Sequence, residues 1–161
     1  MKSLDYAAAF VRITLGWMLL WAFFDKLFGL GFATAPERAW ITGGSPTMGF
    51  LSHADGPFAS LFQAMAGVMA IDVLFMTGLA CIGLALLLGI GLRIAGYAGA
   101  TMMALMFLAA SLPPDNNPLI DEHIVYAGLF LWLTVSGPGA FDPLAKRWAS
   151  CRFVKRHPIL R

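Results

Sequence analysis

Long apolar runs, broken by short clusters of proline, glycine and charge, set the pattern of this chain. The runs are too long for strands and read as helices. The first extends from about Ala7 to Leu30, long enough to cross a ~30 Å hydrocarbon layer with some tilt. The second lies within Phe62 to Leu92, which is too long for one flat crossing and too short for two with a turn. It reads as one helix that begins outside the hydrocarbon and enters near Gly67, spanning about 67–91. The third, about 93–112, follows almost without a loop, and Pro113-Pro114-Asp115-Asn116-Asn117-Pro118 then forces a stop. Asn117 before Pro118 fits a helix N-cap with proline in the first helical position. That places the fourth span at about 118–136, ended by Gly137-Pro138-Gly139.

Between the first two spans, Pro36, Gly43, Gly44, Pro46, Gly49, Gly56 and Pro57 break any long helix. Glu37 to Ile41 and Met48 to Leu51 read as short interfacial helices, with Trp40 and Phe50 suited to the headgroup layer. The expected architecture is an all-α integral membrane protein of one domain. It is a four-transmembrane-helix bundle with a partly helical outer loop between spans 1 and 2 and a basic cytoplasmic tail over 140–161.

Composition supports this reading. Of 161 residues, 59% are hydrophobic and 12% charged, whereas a soluble domain is nearer half apolar and a quarter charged. So small a body cannot hide the surplus. The net charge of +2 says little, but Lys146, Arg147, Arg152, Lys155, Arg156 and Arg161 crowd the end of the chain. The stretch is too short and too close to a helix end for a nucleic-acid domain, and it reads as a juxtamembrane tail facing anionic lipid. The Lys and Arg bias puts both termini in the cytoplasm of a multi-pass protein of the cell membrane. Lys2 and Ala33-Thr34-Ala35 imitate a cleavable signal, but Arg12 interrupts the run and Asp25-Lys26 separates it from the supposed site, so a retained first helix is expected. Cys81 and Cys151 fall at different depths and form no Cys-x-x-Cys pair.

Ionisable residues at membrane depth cost about 2.5–3.5 kcal/mol each, so they usually have a partner or a task. Arg12 is placed to snorkel to the headgroups. Arg12, Gly16 and Lys26 share one helical face, which is expected to meet protein rather than lipid. Pairing of the first two spans would bring Lys26 near Asp72, as a structural ion pair or as an anion and quinone-headgroup site. Asp121, Glu122 and His123 open the fourth helix, where acids favour the positive end of the dipole. At least one of the three must face the bundle, and Glu122 shares a face with Tyr126. These three are the candidate proton-handling residues, and Lys26, Asp72, Arg38 and Tyr126 the candidate substrate and quinone contacts. Trp17 and Trp21, one turn apart, either flank a quinone ring or pack between helices. His53 and Asp55 of the outer loop could join His123, Asp121 and Glu122 around a divalent metal, but no close ligand pair on one helical face supports it, and no metal site is expected.

Arg12-Ile-Thr-Leu-Gly16-Trp-Met-Leu-Leu-Trp21-Ala-Phe-Phe-Asp25-Lys26 resembles the first helix of the DoxX/DoxD membrane family. Gly43-Gly-Ser-Pro-Thr-Met-Gly-Phe-Leu51 resembles the outer loop of its DoxD branch. Gly83-Leu-Ala-Leu-Leu-Leu-Gly89 with Arg93 looks like its second helix and inner turn, and Asn117-Pro-Leu-Ile-Asp121-Glu-His123 with Gly137-Pro-Gly139 like its fourth helix and exit. DoxD is the membrane subunit of thiosulfate:quinone oxidoreductase and works with a smaller partner, DoxA. The resemblance implies oxidation of thiosulfate, or a related small sulfur anion, to tetrathionate outside, with electrons passed to membrane quinone as acceptor. No bound cofactor is evident in the sequence, a DoxA-like partner would have to come from another polypeptide, and a homo-oligomer is left open. The alternative is a non-enzymatic member of the family, a small-solute carrier or a scaffold for a partner enzyme. An anion would be held by Arg38, Lys26 and the backbone N–H groups around Gly43-Gly44-Ser45, since turns can cradle anions.

Overall fold

A computed structural model of the chain describes residues 2–110, 114, 117–140 and 143–160. Among these the regular structure is helical throughout. Helix α1 (Lys2–Phe28) comes first, followed by two single 3-10 turns, Pro36–Arg38 and Trp40–Thr42, and the short helices α2 (Met48–Ser52) and α3 (Ala59–Ala64). Then come α4 (Met69–Leu88), α5 (Leu92–Ala109) and α6 (Glu122–Ser136). The chain finishes with α7 (Pro143–Ser150), α8 (Arg152–Arg156) and a last 3-10 turn, Pro158–Leu160.

Three of the helices, α1, α4 and α5, are long and apolar enough to cross a membrane. With 15 residues, α6 is shorter, and at 1.5 Å per residue it reaches about 22 Å. The fourth helix thus begins at Glu122 rather than at Pro118. The Asn117 side chain does accept the Leu119 and Ile120 N–H groups, as a cap would, but only a turn results. The real cap is Asp121, whose carboxylate accepts from the His123 and Ile124 amides. The expected end of the third span at Leu112 and half of the proline-rich stop lie outside the described residues. The single helix expected over Phe62 to Leu92 is divided: Gly67 takes a φ of +74°, so α3 ends and α4 starts afresh at Met69.

The long helices pair as antiparallel neighbours, α1 on α4 and α5 on α6, with α4 and α5 joining the two pairs. Small residues set both approaches. A methyl group at Gly83 would stand 3.1 Å from the Gly16 carbonyl oxygen of α1, and one at Gly96 only 2.7 Å from the Phe130 carbonyl oxygen of α6. Such contact without side chains between the backbones is how helices associate where lipid gives no hydrophobic drive. One core runs through all four helices, with Leu15, Leu19, Met76, Leu86, Met103, Phe130 and Leu133 buried in it. The outward flanks carry exposed Phe10, Trp17, Leu74, Leu84, Leu105 and Val135, an apolar surface suited to acyl chains. The bundle has two unlike ends. The loop end holds residues 29–68 and the start of α6; the tail end holds the 89–91 turn, the end of α6 and the folded-back α7, α8 and 158–160.

Arg12 belongs to the tail end, and it does not snorkel. It is 1% exposed. Its Nε donates to the Pro138 carbonyl oxygen at 3.0 Å and its Nη1 to those of Leu87, at 2.9 Å, and Leu86. The last turn of a helix leaves carbonyls without intrahelical partners and carries the negative end of the dipole. A guanidinium satisfies both needs at once and ties α1 to the ends of α4 and α6.

Candidate functional site

The loop end is built on two buried carboxylates. Asp25 sits about 140° around α1 from Arg12, away from the bundle interior, yet is 2% exposed because the following loop folds over it. Its two oxygens accept the amides of Phe32, at 3.2 Å, and Ala33, at 3.0 Å. Asp72, 4% exposed in the first turn of α4, holds the other part of the loop. One of its oxygens accepts the Ser45 hydroxyl at 3.0 Å, the Thr47 hydroxyl at 2.6 Å and the Thr47 amide at 3.0 Å. Three hydrogen bonds satisfy this carboxylate without a cation beside it.

The expected ion pair between Lys26 and Asp72 is therefore absent. Among the described residues, Lys26 has no carboxylate within 4.0 Å and no hydrogen bond. It lies about 40° from Arg12 and 20° from Leu19 on the helical wheel, so it continues the buried stripe of α1 to the loop end. Its side chain is half-buried there. Trp40, brought in by the 3-10 turn that packs on α1, joins Phe23, Leu27, Phe75, Met106 and Tyr126 in covering this end of the core. Tyr126 is half-buried, and it makes no hydrogen bond among the described residues.

The acid cluster of α6 divides its labour. Asp121 caps the helix and also pairs with His123, Oδ2 to Nδ1 at 2.7 Å, both side chains being only 11% and 15% exposed. Glu122 points to the exterior. The candidate proton-handling set thus reduces to an Asp121–His123 pair one turn before Tyr126.

Other expectations fail on geometry. The anion cradle around Gly43-Gly44 is closed, since the Gly43 amide donates to the Trp40 carbonyl oxygen and the Gly44 amide to that of Ala39. Ser45 is engaged by Asp72, and Arg38 projects outward from its 3-10 turn. Trp17 and Trp21 do not flank a quinone ring: their centroids are 5.8 Å apart, less than the roughly 7 Å that a sandwiched ring requires. Trp21 is instead covered edge-on by Phe32. His53 turns back to the Gly49 carbonyl oxygen, and Asp55 caps its own turn at Gly56. Among the described residues no three His, Cys, Asp or Glu side chains converge. Cys81 and Cys151 are both exposed, one midway along α4 and the other between α7 and α8.

Two features escaped the sequence reading. The Ser45 and Thr47 hydroxyls that hold Asp72 were legible only as loop residues, although a Ser-x-Thr pair in a segment facing a buried acid is a usable signal. The second is a cavity of about 320 Å³ at the tail end, between the 89–93 turn, the end of α6 and α7. None of the predicted site residues lines it. No protein-family model, no curated protein and no solved structure matches the chain.

Proposed function

We propose that the chain is a DoxD-like integral membrane subunit through which a small sulfur anion, thiosulfate in the simplest case, delivers electrons to membrane quinone at the loop end. Here α6 is the fourth crossing. Its ~22 Å is extended toward the full hydrocarbon thickness by residues 117–121. The Lys and Arg bias places the tail end and both termini in the cytoplasm, and the loop end outside.

Lys26 carries the reading. It ends the buried stripe of the first helix as a half-buried amine with no carboxylate partner among the described residues, while both buried acids of that end are committed to the loop. A lysine at membrane depth that no carboxylate touches, with Asp25 acting on it only through space, is a place for an anion to bind. Two thiosulfate ions joining through a new S–S bond release two electrons, and quinone taking up those electrons and two protons becomes quinol. Tyr126 and the Asp121–His123 pair lie at the same end to pass the protons, and a DoxA-like partner completes the electron route.

The test uses membranes holding the chain and its natural partner, with quinone reduction followed by absorbance after thiosulfate is added. Lys26→Ala raises KM for thiosulfate at least about tenfold, the weight of one charge contact, and Lys26→Arg restores part of it. A folded Lys26→Ala protein with unchanged KM defeats the assignment. Failure to reduce quinone with any sulfur donor favours the second reading, a scaffold or carrier.

A further inference from the structure

The cavity at the tail end has the chemistry of a lipid site. Its walls are apolar, with Leu92 from α5, Val135 from α6 and Ala145 from α7, and Trp148 closes one side. Arg93 and Lys146 stand on its lining. Its volume of about 320 Å³ falls at the small end of the range of ligand pockets, about 300–1,000 Å³. Val135 is 81% exposed, so the cavity adjoins a flank of α6 suited to acyl chains.

The surroundings favour a negative occupant. Among the described residues, Arg93, Lys146, Arg147, Arg152, Lys155 and Arg156 lie on the surface of this end together with Asp5, and Arg93 and Lys146 remain exposed while also engaging other groups of the chain. The tail that carries most of them is docked rather than trailing. Ala145 and Val154 are buried, Trp148 Nε1 donates to the Leu160 carbonyl oxygen, and residues 158–160 pack on α5. A tryptophan, a basic rim and an amphipathic helix at one level mark the depth of headgroups.

We propose that this cavity seats the phosphate and glycerol of an anionic phospholipid, with Arg93 and Lys146 as the cationic contacts and the acyl chains following the α6 flank past Val135. Basic pockets between membrane helices on the cytoplasmic side take such headgroups, and a charge-assisted hydrogen bond from Arg or Lys to a phosphate oxygen is among the stronger polar contacts.

The full chain, purified in neutral detergent, is titrated with phosphatidylglycerol, phosphatidylcholine or glycerol phosphate, and bound lipid is counted by native mass spectrometry. Phosphatidylglycerol should bind at least about tenfold more tightly than phosphatidylcholine, since each surface cation contributes about 1 kcal/mol toward an anionic lipid. The double variant Arg93→Gln/Lys146→Gln should lose that preference. Arg152→Gln/Lys155→Gln, which removes the same charge away from the cavity, should keep it. Equal binding of the two lipids, equal losses in the two double variants, or displacement of the lipid by glycerol phosphate overturns the proposal. If the cavity variant does not yield folded protein, Ala149→Trp fills the space without altering charge. It should abolish selective binding, and full retention there counts against the site.

Discussion

Gly96→Ala puts the α5–α6 interface to a direct test. The added methyl carbon would lie 2.7 Å from the Phe130 carbonyl oxygen, where ordinary contact begins at 3.4 Å, and would also meet the Thr134 side chain. A backbone atom cannot swing aside as a long side chain can. The two helices must therefore separate by about 0.7 Å at this level, loosening Phe130, which has no exposed surface at all. Overpacking of this kind costs about 1–3 kcal/mol, offset by up to ~1 kcal/mol from replacing glycine in a helix. Gly128→Ala supplies the control on the same helix pair. A methyl group there meets nothing within 4 Å, so only the propensity gain remains. The two variants should diverge by roughly 1–3 kcal/mol, with opposite signs where the clash dominates. Thermal unfolding in one detergent, followed by tryptophan fluorescence, reads the difference. If Gly96→Ala is as stable as Gly128→Ala, the backbones are not as close as described here, and the account of how α5 and α6 associate is wrong.

Other perturbations separate the roles of the buried charges. Arg12→Met leaves the carbonyls of Leu86, Leu87 and Pro138 without this donor and should cost about 3 kcal/mol; the midpoint of thermal unfolding measures it, and an unchanged midpoint contradicts the tie. Asp72→Ala should release Thr47, so that its amide exchanges with solvent much faster, whereas Asp72→Asn keeps an acceptor oxygen and should lose less of the ~1–3 kcal/mol at stake. Asp121→Ala removes the cap of α6 at a cost of about 1 kcal/mol, seen as faster exchange at the His123 and Ile124 amides, while Asp121→Asn should behave nearly as the parent protein.

The large elements were legible because long apolar runs have few alternatives, and the short helix at Met48 because glycine and proline bracket it; the helix expected over Glu37 to Ile41 is instead two 3-10 turns, since Ala39 between them is extended. The start of α6 was misjudged for a local reason: Asn117 and Asp121 are both competent caps, and sequence cannot say which one the helix grows from. The buried charges were harder. Periodicity correctly put Arg12 and Lys26 on one stripe, but snorkelling and burial predict the same stripe. What decides between them at Arg12 is a set of backbone carbonyls 74, 75 and 126 positions away, and a carbonyl leaves no mark in a sequence. Asp25 shows the reverse case. Wheel geometry turns it away from the bundle, and it is buried only because a loop later covers it. Lys26 shares its helical face with Arg12 as periodicity predicts, but the acid expected to pair with it, Asp72, is satisfied by hydroxyls and an amide instead.

The tie made by Arg12 also bears on the order in which the chain can be put together. Its side chain leaves the ribosome early, yet the carbonyls it binds on α4 follow more than seventy residues later and that of Pro138 later still. Until then the first helix holds a cation whose eventual receptors have not been synthesised, and its charged end is better off near the aqueous boundary than sunk in oil. Final seating of α1 is thus a late event, reached only when nearly the whole polypeptide is present. In a chain stopped before Pro138, a cysteine introduced at Ala8 or Ala9, both buried in the finished protein, should react with an aqueous maleimide that the full-length variant excludes.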